Sequence, residues 1–272
     1  MMNNIIEVKN LGISYPNNGF SLKNISFTVP KGSIVGIIGE NGSGKTTLSH
    51  LLTGFLMPDA GDIQLDGQSV LSQSIKTRAE NIGYVLQNPN HMLTKSTVYD
   101  EVASGLVLRE VTTDEIEARV RAVLRLLDLD EMRNWPIAAL SFGQKKRVTI
   151  AAVLVLSPKI LILDEPTAGQ DATHTQELLT FLTKINQQEQ VTIVIITHDM
   201  HLLANFVQRA LVVVDGQLLA DTTPAELLAD EALVKAANLR TTSIYQLAAR
   251  LQIARPEELN AAIQQTHGYN KV

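Results

Sequence analysis

The sequence predicts an α/β fold with a mostly parallel core sheet, and three observations support this prediction. Largely aliphatic runs at residues 33–38, 160–163 and 191–196 have the pattern of strands buried on both faces of a parallel sheet. Segments with apolar residues at helical spacing separate these runs. A length of 272 residues, 45% of them hydrophobic, suffices for one large α/β domain, alone or with an appendage.

A glycine-rich turn follows the first of these strands and matches the phosphate-binding pattern G-x-x-x-x-G-K-[ST]. Backbone N–H groups of such a turn, with the positive end of the following helix, face an anion. An ordinary glycine-rich connection does not explain Lys45 and Thr46 at this spacing. We therefore predict a nucleotide site, with Lys45 at the β- and γ-phosphates and the Thr46 hydroxyl on Mg²⁺. The predicted phosphate-binding residues are Gly39, Glu40, Asn41, Gly42, Ser43, Gly44, Lys45, Thr46 and Thr47, and the helix after them has apolar positions at Leu48, Leu51, Leu52 and Phe55.

Composition and charge narrow the class of protein. The chain has no cysteine, which suits a reducing compartment and excludes a disulfide framework or a thiolate metal site. A net charge of −5 argues weakly against general nucleic-acid binding. The longest apolar runs are far shorter than the roughly 18 residues of a membrane span, and residues 1–4 lack the pattern of a signal peptide. We expect a soluble intracellular protein that would reach a membrane only through a partner.

Two candidate ligand contacts stand at the ends of predicted strands. Residues 5–32 have the alternation of antiparallel β-structure with a turn at 16–19, and Tyr15 ends the first strand. Packing at the sheet edge and stacking on a base are equally compatible with Tyr15. Gln87 follows a strand predicted at 81–86 and could reach a ligand at the carboxyl edge of the sheet, although a loop-ordering amide is the alternative.

Residues 97–135 have helical periodicity and no strand pattern. A helix is expected to begin at residues 113–114, and its apolar stripe consists of Ile116, Val120, Val123, Leu124 and Leu127. We interpret a region of about residues 88–157 as a helical insertion between strands. Its last helix begins at Ser141, which forms a predicted capping box with Gln144. Lys145, Lys146 and Arg147 then crowd the first turn, where the helix dipole disfavours cations, and this favours an anion at that helix end.

Acidic and imidazole side chains follow the two remaining core strands. Asp164 and Glu165 end the strand at 160–163, and adjacent carboxylates there predict support of Mg²⁺ by Asp164 and polarisation of a water by Glu165. A simple strand-to-loop transition is the alternative. A loop at 167–171 and a helix at 176–182 are expected next. His198 follows the strand at 191–196 and could contact a γ-phosphate.

A hairpin is predicted around residues 215–216, and from residue 223 onward the chain becomes polar and helical. Pro224 and Pro256 are placed to begin helices. We therefore divide the chain into residues 1–222, the nucleotide-binding domain, and residues 223–272, an accessory or dimerising tail.

In this order the motifs resemble the ATP-binding cassette (ABC) ATPases, over about residues 5–222. The resemblance is based on the phosphate loop at 39–47, Gln87, Leu-Ser-Phe-Gly-Gln at 140–144, Ile-Leu-Asp-Glu-Pro at 162–166, Gly-Gln-Asp at 169–171, and His198. It implies Tyr15 on adenine, Thr46, Gln87 and Asp164 around Mg²⁺ and water, and Glu165, His198 and Gln87 as catalytic residues. It also implies that two cassettes meet head to tail, so that Ser141, Phe142, Gly143, Gln144 and Asp171 contact ATP held by the other cassette.

A narrower resemblance is to the energy-coupling factor (ECF) ATPases of bacterial vitamin and cobalt importers. It depends on residues 85–90, 144–147 and 167–171 and on the helical tail. Two positions depart from the family pattern, because Phe142 replaces a glycine and Gln170 replaces a leucine.

The resemblance implies an ATPase subunit at the cytoplasmic face of the bacterial cell membrane. Its expected partners are a second cassette, identical or related, an integral membrane coupling subunit and a substrate-binding membrane subunit, with no nucleic acid. Its cargo would be a vitamin, a vitamin precursor or a metal ion. An ABC exporter ATPase and a soluble ABC protein acting on DNA or ribosomes are the alternatives. The sequence shows neither the long coiled-coil interruption of DNA-repair cassettes nor the two cassettes per chain of translational ones.

Overall fold

The computed structural model describes residues 3–15, 19–239 and 242–250. The strands in these ranges are β1 (Asn4–Ser14), β2 (Ser21–Pro30), β3 (Ile34–Ile38), β4 (Ala60–Leu65), β5 (Gln68–Ser69), β6 (Ile82–Val85), β7 (Ile160–Asp164), β8 (Thr192–Thr197), β9 (Arg209–Val214) and β10 (Gln217–Thr222). The α-helices are α1 (Lys45–Thr53), α2 (Ile75–Arg78), α3 (Val98–Val107), α4 (Thr113–Leu126), α5 (Phe142–Leu154), α6 (Ala172–Glu189), α7 (Met200–Phe206), α8 (Pro224–Ala229), α9 (Glu231–Ala236) and α10 (Ser243–Arg250). Short 3₁₀ turns occur at Pro89–His91, Asp130–Met132 and Ile137–Ala139.

The main sheet has the strand order β10-β9-β3-β8-β7-β6, and only the β9–β10 hairpin is antiparallel. This confirms the predicted mostly parallel core. All five residues of β3 are buried, as expected for a strand covered on both faces. The five strands other than β10 run in the same direction. The carboxyl ends of β3, β6, β7 and β8 therefore meet at one edge of the sheet.

A smaller antiparallel sheet, in the order β2-β1-β4-β5, packs against one face of the main sheet and confirms the predicted N-terminal β-subdomain. Successive residues of β3 face different cores because side chains alternate along a strand. Val35 and Ile37 pack with α1 and the small sheet. Ile34 and Ile38 pack with the helices on the other face.

The helical insertion is observed where it was expected, as α3, α4 and α5. Ile116, Val120, Leu124 and Leu127 of the predicted stripe are buried, and Val123 is partly buried. Two helix predictions need correction. Phe55 lies beyond α1, which ends before Gly54 in a left-handed conformation (φ 82°), and its ring is 53% exposed. Helix α6 (Ala172–Glu189) is longer than the expected 176–182 helix and already begins at Ala172, because the Asp171 side chain caps it by accepting from the His174 N–H.

The tail packs onto the body of the molecule. Leu227, Leu228, Ala237 and Tyr245 are buried in the same hydrophobic core as α7 and β9. The apolar pair Leu227 and Leu228 is therefore covered by this chain itself. Pro224 occupies the first turn of α8 as predicted, whereas Pro256 lies outside the described residues. Among the described residues, no helix combines the length and apolar character needed to cross a lipid bilayer.

Candidate functional site

A cavity of about 570 Å³ opens at the carboxyl edge of the main sheet. It brings together residues that are far apart in sequence and that the motifs singled out. Its lining residues are Tyr15, Phe20, Asn41, Gly42, Gly44, Lys45, Thr46, Thr47, Gln87, Asp164, Glu165 and His198.

The phosphate loop has the backbone geometry that its glycines permit. Gly44, which precedes α1, has φ 112°, and a Cβ there would lie 2.6 Å from Leu22 Cδ2 and 2.9 Å from Phe20 Cζ. A Cβ at Gly39 would lie 2.2 Å from the Val213 carbonyl oxygen. Both positions therefore require glycine. The loop ends at the N-terminus of α1, where unpaired N–H groups and the helix dipole favour an anion.

Two side chains of the loop fit a bound phosphate. The buried Ser43 hydroxyl has no hydrogen-bond partner among the described residues. The buried Lys45 Nζ donates to the carbonyl oxygens of Gly39 (2.8 Å) and Glu40 (2.9 Å). Burial lowers the pKa of Lys45, while the charges of Glu165, Asp164 and Glu40 act in the opposite direction. An ammonium that bonds only to neutral carbonyls gains from a phosphate placed in the cavity beside it.

Asp164 is held in place by a tyrosine that the sequence reading did not single out. Tyr84, on the neighbouring strand β6, donates to Asp164 Oδ2 (3.2 Å), and its hydroxyl also lies 3.2 Å from Ser49 Oγ in α1. Ser49 Oγ in turn donates to the Thr46 carbonyl oxygen (2.9 Å). Burial raises the pKa of Asp164, and the Tyr84 hydrogen bond partly offsets this. The two predicted magnesium residues, Thr46 and Asp164, are thus linked through one hydroxyl chain.

Glu165 and His198 form a pair at the adjacent strand ends. His198 Nδ1 lies 2.6 Å from Glu165 Oε1, and the Thr197 hydroxyl donates to Glu165 Oε2 (3.2 Å). Glu165 has φ 43°, a left-handed conformation that is uncommon outside glycine, and its N–H donates to the Ile196 carbonyl oxygen (2.8 Å). Its side chain is 11% exposed and borders the cavity. A carboxylate oriented in this way can polarise a water beside a phosphate.

The chemistry of the cavity also fits Mg²⁺ bound together with phosphate. The part of the chain that the structure describes contains no group of three or more His, Cys, Asp or Glu side chains able to hold a metal ion. Mg²⁺ prefers oxygen ligands and usually binds through one or two protein groups, waters and substrate phosphates. Thr46, Gln87 and Asp164 line one cavity and supply a hydroxyl, an amide and a carboxylate.

The second group of predicted residues lies outside this cavity, at the start of α5. The capping box between Ser141 and Gln144 is confirmed in both directions, with distances of 3.2 Å and 2.8 Å. The side chains of the three cations that follow have contacts within this chain. Lys145 contacts Asn90, Lys146 is buried and donates to backbone carbonyls, and Arg147 lies over the Phe181 ring.

The loop before α6 lies against this helix start. Asp171 accepts from the His174 N–H and also lies 2.9 Å from His174 Nδ1, and these contacts lower its pKa. A Cβ on Gly143 would be 3.4 Å from His174 Cδ2. The Phe142 ring, 38% exposed, lies beside Gly169. Ser141, Phe142, Gly143, Gln144 and Asp171 thus belong to one surface region that does not reach the cavity of their own chain.

Three residues of the site were missed from sequence. Phe20 lines the cavity near Tyr15, with ring centroids 6.2 Å apart. Tyr84 contacts Asp164, and alternation along β6 could have placed it on the same side as the helix that carries Ser49. Asn238, which follows α9, donates to the Glu40 side chain. No sequence signal relates the Asn238 position to the phosphate loop.

Residues 22–168 match the family model described as ABC transporter. A protein of Lactiplantibacillus plantarum, provisionally named an ABC transporter ATP-binding protein, is 50% identical over 244 residues, which are 90% of this chain and 43% of that protein. A protein of the same provisional name from Enterococcus faecalis is 50% identical over 253 residues, 93% of this chain and 44% of its own length. The chain thus spans less than half the length of these curated relatives.

Among solved structures, cbiO1 from Clostridium perfringens superposes with a TM-score of 0.81 and 35% sequence identity. The match covers 91% of this chain and 99% of that chain. The protein is described as part of the ABC transporter complex cbiONQ.

Proposed function

The chain belongs to the ABC transporter family of ATPases, and from this premise we propose that it is the ATP-hydrolysing, energy-coupling subunit of an ECF-type membrane importer. The observation that carries the proposal is the single cavity that joins the phosphate loop, Gln87, Asp164, Glu165 and His198. The 35% identical cbiO1 chain, matched over nearly its whole length, supports the importer class. The cargo would be a vitamin, a vitamin precursor or a metal ion.

Each part of the cavity has a distinct role in ATP hydrolysis. Tyr15 and Phe20 offer aromatic faces to adenine at its rim. The loop from Gly39 to Thr47 binds the phosphates through backbone N–H groups and the Lys45 ammonium. Thr46, Gln87 and Asp164 would hold Mg²⁺, whose positive charge would offset the negative charge of the phosphates.

Glu165 acts as the general base for the attacking water. Thr197 and His198 engage its two carboxylate oxygens, so the group is oriented before a nucleotide is bound. Pre-orientation of this kind lowers the reorganisation needed when the water is deprotonated. His198 thereby positions the base, and its exposed ring at the cavity wall is also available to a γ-phosphate.

The position of the α5 helix start, outside the cavity of its own chain, supports the presence of a second cassette. Ser141 and Gly143 stand at the N-terminus of α5, a 13-residue helix, and face away from the cavity of their own chain. We infer that they meet ATP bound by a second copy or a related cassette, together with Phe142, Gln144 and Asp171. Closure of two such cassettes on ATP and reopening after hydrolysis would drive the importer.

An exposed apolar surface offers a place for the membrane coupling subunit. It consists of the large side chains Phe55, Met57, Ile75, Val107 and Leu108, each between 48% and 86% exposed. The ends of α1, α2 and α3 that carry them adjoin. Arg78 donates to the Leu51 carbonyl oxygen (3.0 Å), and Arg109 donates to that of Ala79 (3.3 Å). Docking there would hold the protein peripherally at the cytoplasmic face of the membrane.

The Glu165→Gln variant tests the enzymatic part of the proposal. The amide keeps the shape of the carboxylate but cannot accept the proton of water. We expect unchanged ATP binding and a turnover lowered by about two orders of magnitude or more, the scale for a lost catalytic base. Lys45→Ala is the matched control, which should lose ATP binding itself. Turnover of Glu165→Gln within about threefold of wild type would refute the assignment.

The docking part is tested in mild-detergent membrane extracts of the native organism. The full chain should co-purify with an integral membrane coupling subunit and a substrate-binding membrane subunit, both identified by mass. Leu108→Glu, which places charge on the most exposed apolar side chain, should abolish this co-purification while ATP binding stays intact. Recovery of the same membrane subunits with Leu108→Glu would exclude this surface as the docking site.

A further inference from the structure

Lys146 is a buried lysine that the roles given so far do not use. It lies in the second turn of α5 and is 1% exposed, whereas its neighbours Lys145 and Arg147 are partly exposed. Lysine is almost never fully buried unless its ammonium is bonded. Lys146 is also only five positions after Ser141, at the helix start proposed to face the second cassette. Its burial therefore needs a specific explanation.

The bonds of Lys146 reach the backbone at the edge of the nucleotide cavity. Its Nζ donates to the carbonyl oxygens of Leu86 (3.0 Å) and Gln87 (2.6 Å). These two carbonyls stand where β6 ends and the chain enters the cavity wall, and the Gln87 side chain lines that cavity. Lys146 therefore joins α5 directly to the main chain of Gln87.

The other end of this link is the helix start at Ser141–Gln144. Lys146 is covalently part of α5, whose first turn is fixed by the capping box, so the helix start and the Lys146 backbone move together. The connection along the chain from residue 88 to residue 141 passes through α3, α4 and three 3₁₀ turns. The Lys146 ammonium is a much shorter connection, and it bonds directly to the Gln87 main chain.

Burial and the nearby carboxylates have opposite effects on the charge of the Lys146 ammonium. Burial lowers the pKa of Lys146 to about 8, and the carboxylates of Asp164 and Glu165 act against this. Asp164 and Glu165 thus interact with the ammonium electrostatically and at a distance, whereas its hydrogen bonds are to the two carbonyls.

We propose that Lys146 is a positioning residue that transmits movement of the helix start at Ser141–Gln144 to Gln87 through its two backbone hydrogen bonds. The inference depends on the proposed function, because that helix start moves only if a second cassette closes on it. A displacement of α5 by the partner's nucleotide pulls or releases the Gln87 main chain through Nζ. The Gln87 side chain then enters or leaves its place in the cavity. ATP bound in one cassette is in this way sensed at the site of the other.

The test compares Lys146→Met with Lys145→Met in the assembled transporter. Met keeps the length of the lysine stem but has no donor. The Lys145 ammonium is the control because its contact, with Asn90 Oδ1 at 3.3 Å, is exposed and does not involve the Gln87 main chain. For Lys146→Met we expect ATPase kcat to fall about ten- to a hundredfold, the scale for a displaced catalytic group, with KM within about threefold of wild type. Lys145→Met should match wild type in both constants.

A fluorescent reporter supplies a readout that does not depend on hydrolysis. The chain has no cysteine, so His91→Cys, on the exposed 3₁₀ turn after Gln87, gives a unique labelling position. With Glu165→Gln to block turnover, ATP should change the reporter signal in the wild-type Lys146 background and leave it unchanged with Lys146→Met. If Lys146→Met does not fold, Lys146→Gln replaces it with the same expected results, because its amide is on a shorter stem than the ammonium that bonds to both carbonyls.

The results separate this inference from the proposed function. Absence of Mg²⁺-dependent ATPase in wild type would refute the proposed function itself. If wild type is active, a Lys146→Met enzyme with wild-type kcat, or with a raised KM and unchanged kcat, overturns the inference. A Lys146→Met reporter that responds to ATP as the wild-type Lys146 reporter does also overturns it. A low kcat with normal KM and a silent reporter supports it.

Discussion

Leu227 in α8 provides a sharp test of whether the tail belongs to the folded body. Its side chain has 0% exposure and lies in the core shared with α7 and β9. Leu247 in α10 is its matched control, because it is 48% exposed and belongs to the same tail. If the tail instead served only to dimerise, both leucines would face a second chain and the two variants would behave alike.

The structure gives the expected size of each effect. Truncation of a fully buried leucine to alanine removes its transfer free energy and leaves a cavity, so Leu227→Ala should destabilise the protein by about 2–5 kcal/mol. Exposed substitutions stay within about 0.5 kcal/mol, which is the expectation for Leu247→Ala. At about 2–4 °C per kcal/mol for a protein of this size, the melting midpoint of Leu227→Ala should fall by roughly 4–20 °C.

Circular dichroism melts of the two variants, with sedimentation velocity on the same samples, make the measurement. Equal melting midpoints for Leu227→Ala and Leu247→Ala would refute the argument from burial. Loss of self-association by Leu227→Ala at an unchanged midpoint would instead restore the dimerisation role. Truncation after residue 222 should likewise expose the apolar residues of α7 and β9 that share a core with Leu227 and Leu228, and so lower the stability of the remaining domain.

Three further predictions concern the nucleotide site, the start of α5 and the capping box of α8. His198→Ala should lower turnover about tenfold with ATP affinity nearly unchanged, since the ring orients Glu165; a matching loss of affinity would show a nucleotide contact instead. Gly143→Asp should abolish ATP-driven cassette closure, because it places a negative charge at the helix start. Phe142→Gly should lower the stability of the protein by about 1 kcal/mol or less and keep most hydrolysis. The reverse order of ATPase activities would contradict the proposal that this helix start meets ATP of the second cassette. The Thr223 N–H, with the Thr222 and Thr223 hydroxyls, lowers the pKa of Glu226 from 4.5 to about 2. Its stabilisation is therefore full above pH 4.5 and is lost as pH falls toward about 2, so melts of wild type and Glu226→Ala should converge there; a constant difference would refute it.

The sequence was most informative where one local pattern determines one structure. The phosphate loop, the aliphatic strands and the capping box at Ser141 were predictable because a turn, a buried strand and a helix start each have short-range residue requirements. The parallel order of the strands also follows from their polar carboxyl ends, since a shared site requires a shared edge.

Long-range contacts were not predictable from such patterns. Nothing near Lys146 in sequence indicates that its ammonium would bond to the carbonyls of Leu86 and Gln87, which lie about 60 residues earlier in the chain. Likewise Leu227 has the same local pattern in a packed helix as in a dimerising one. Which surface covers it is decided by how α8 folds back onto α7 and β9, and the periodicity within α8 does not show this.

The position of β3 in the middle of the main sheet has a consequence for how the protein is made. Its parallel neighbours are β8 and β9, so Ile34 pairs with Ile193 and Val35 with Arg209. Contacts of such long sequence separation close large loops and form late in folding. During synthesis from the N-terminus, the ribosome releases the whole phosphate-loop sequence long before either neighbouring strand exists. A nascent chain that ends before β9 therefore carries the motif without the sheet that shapes it, and ATP can assist folding only in the final stage.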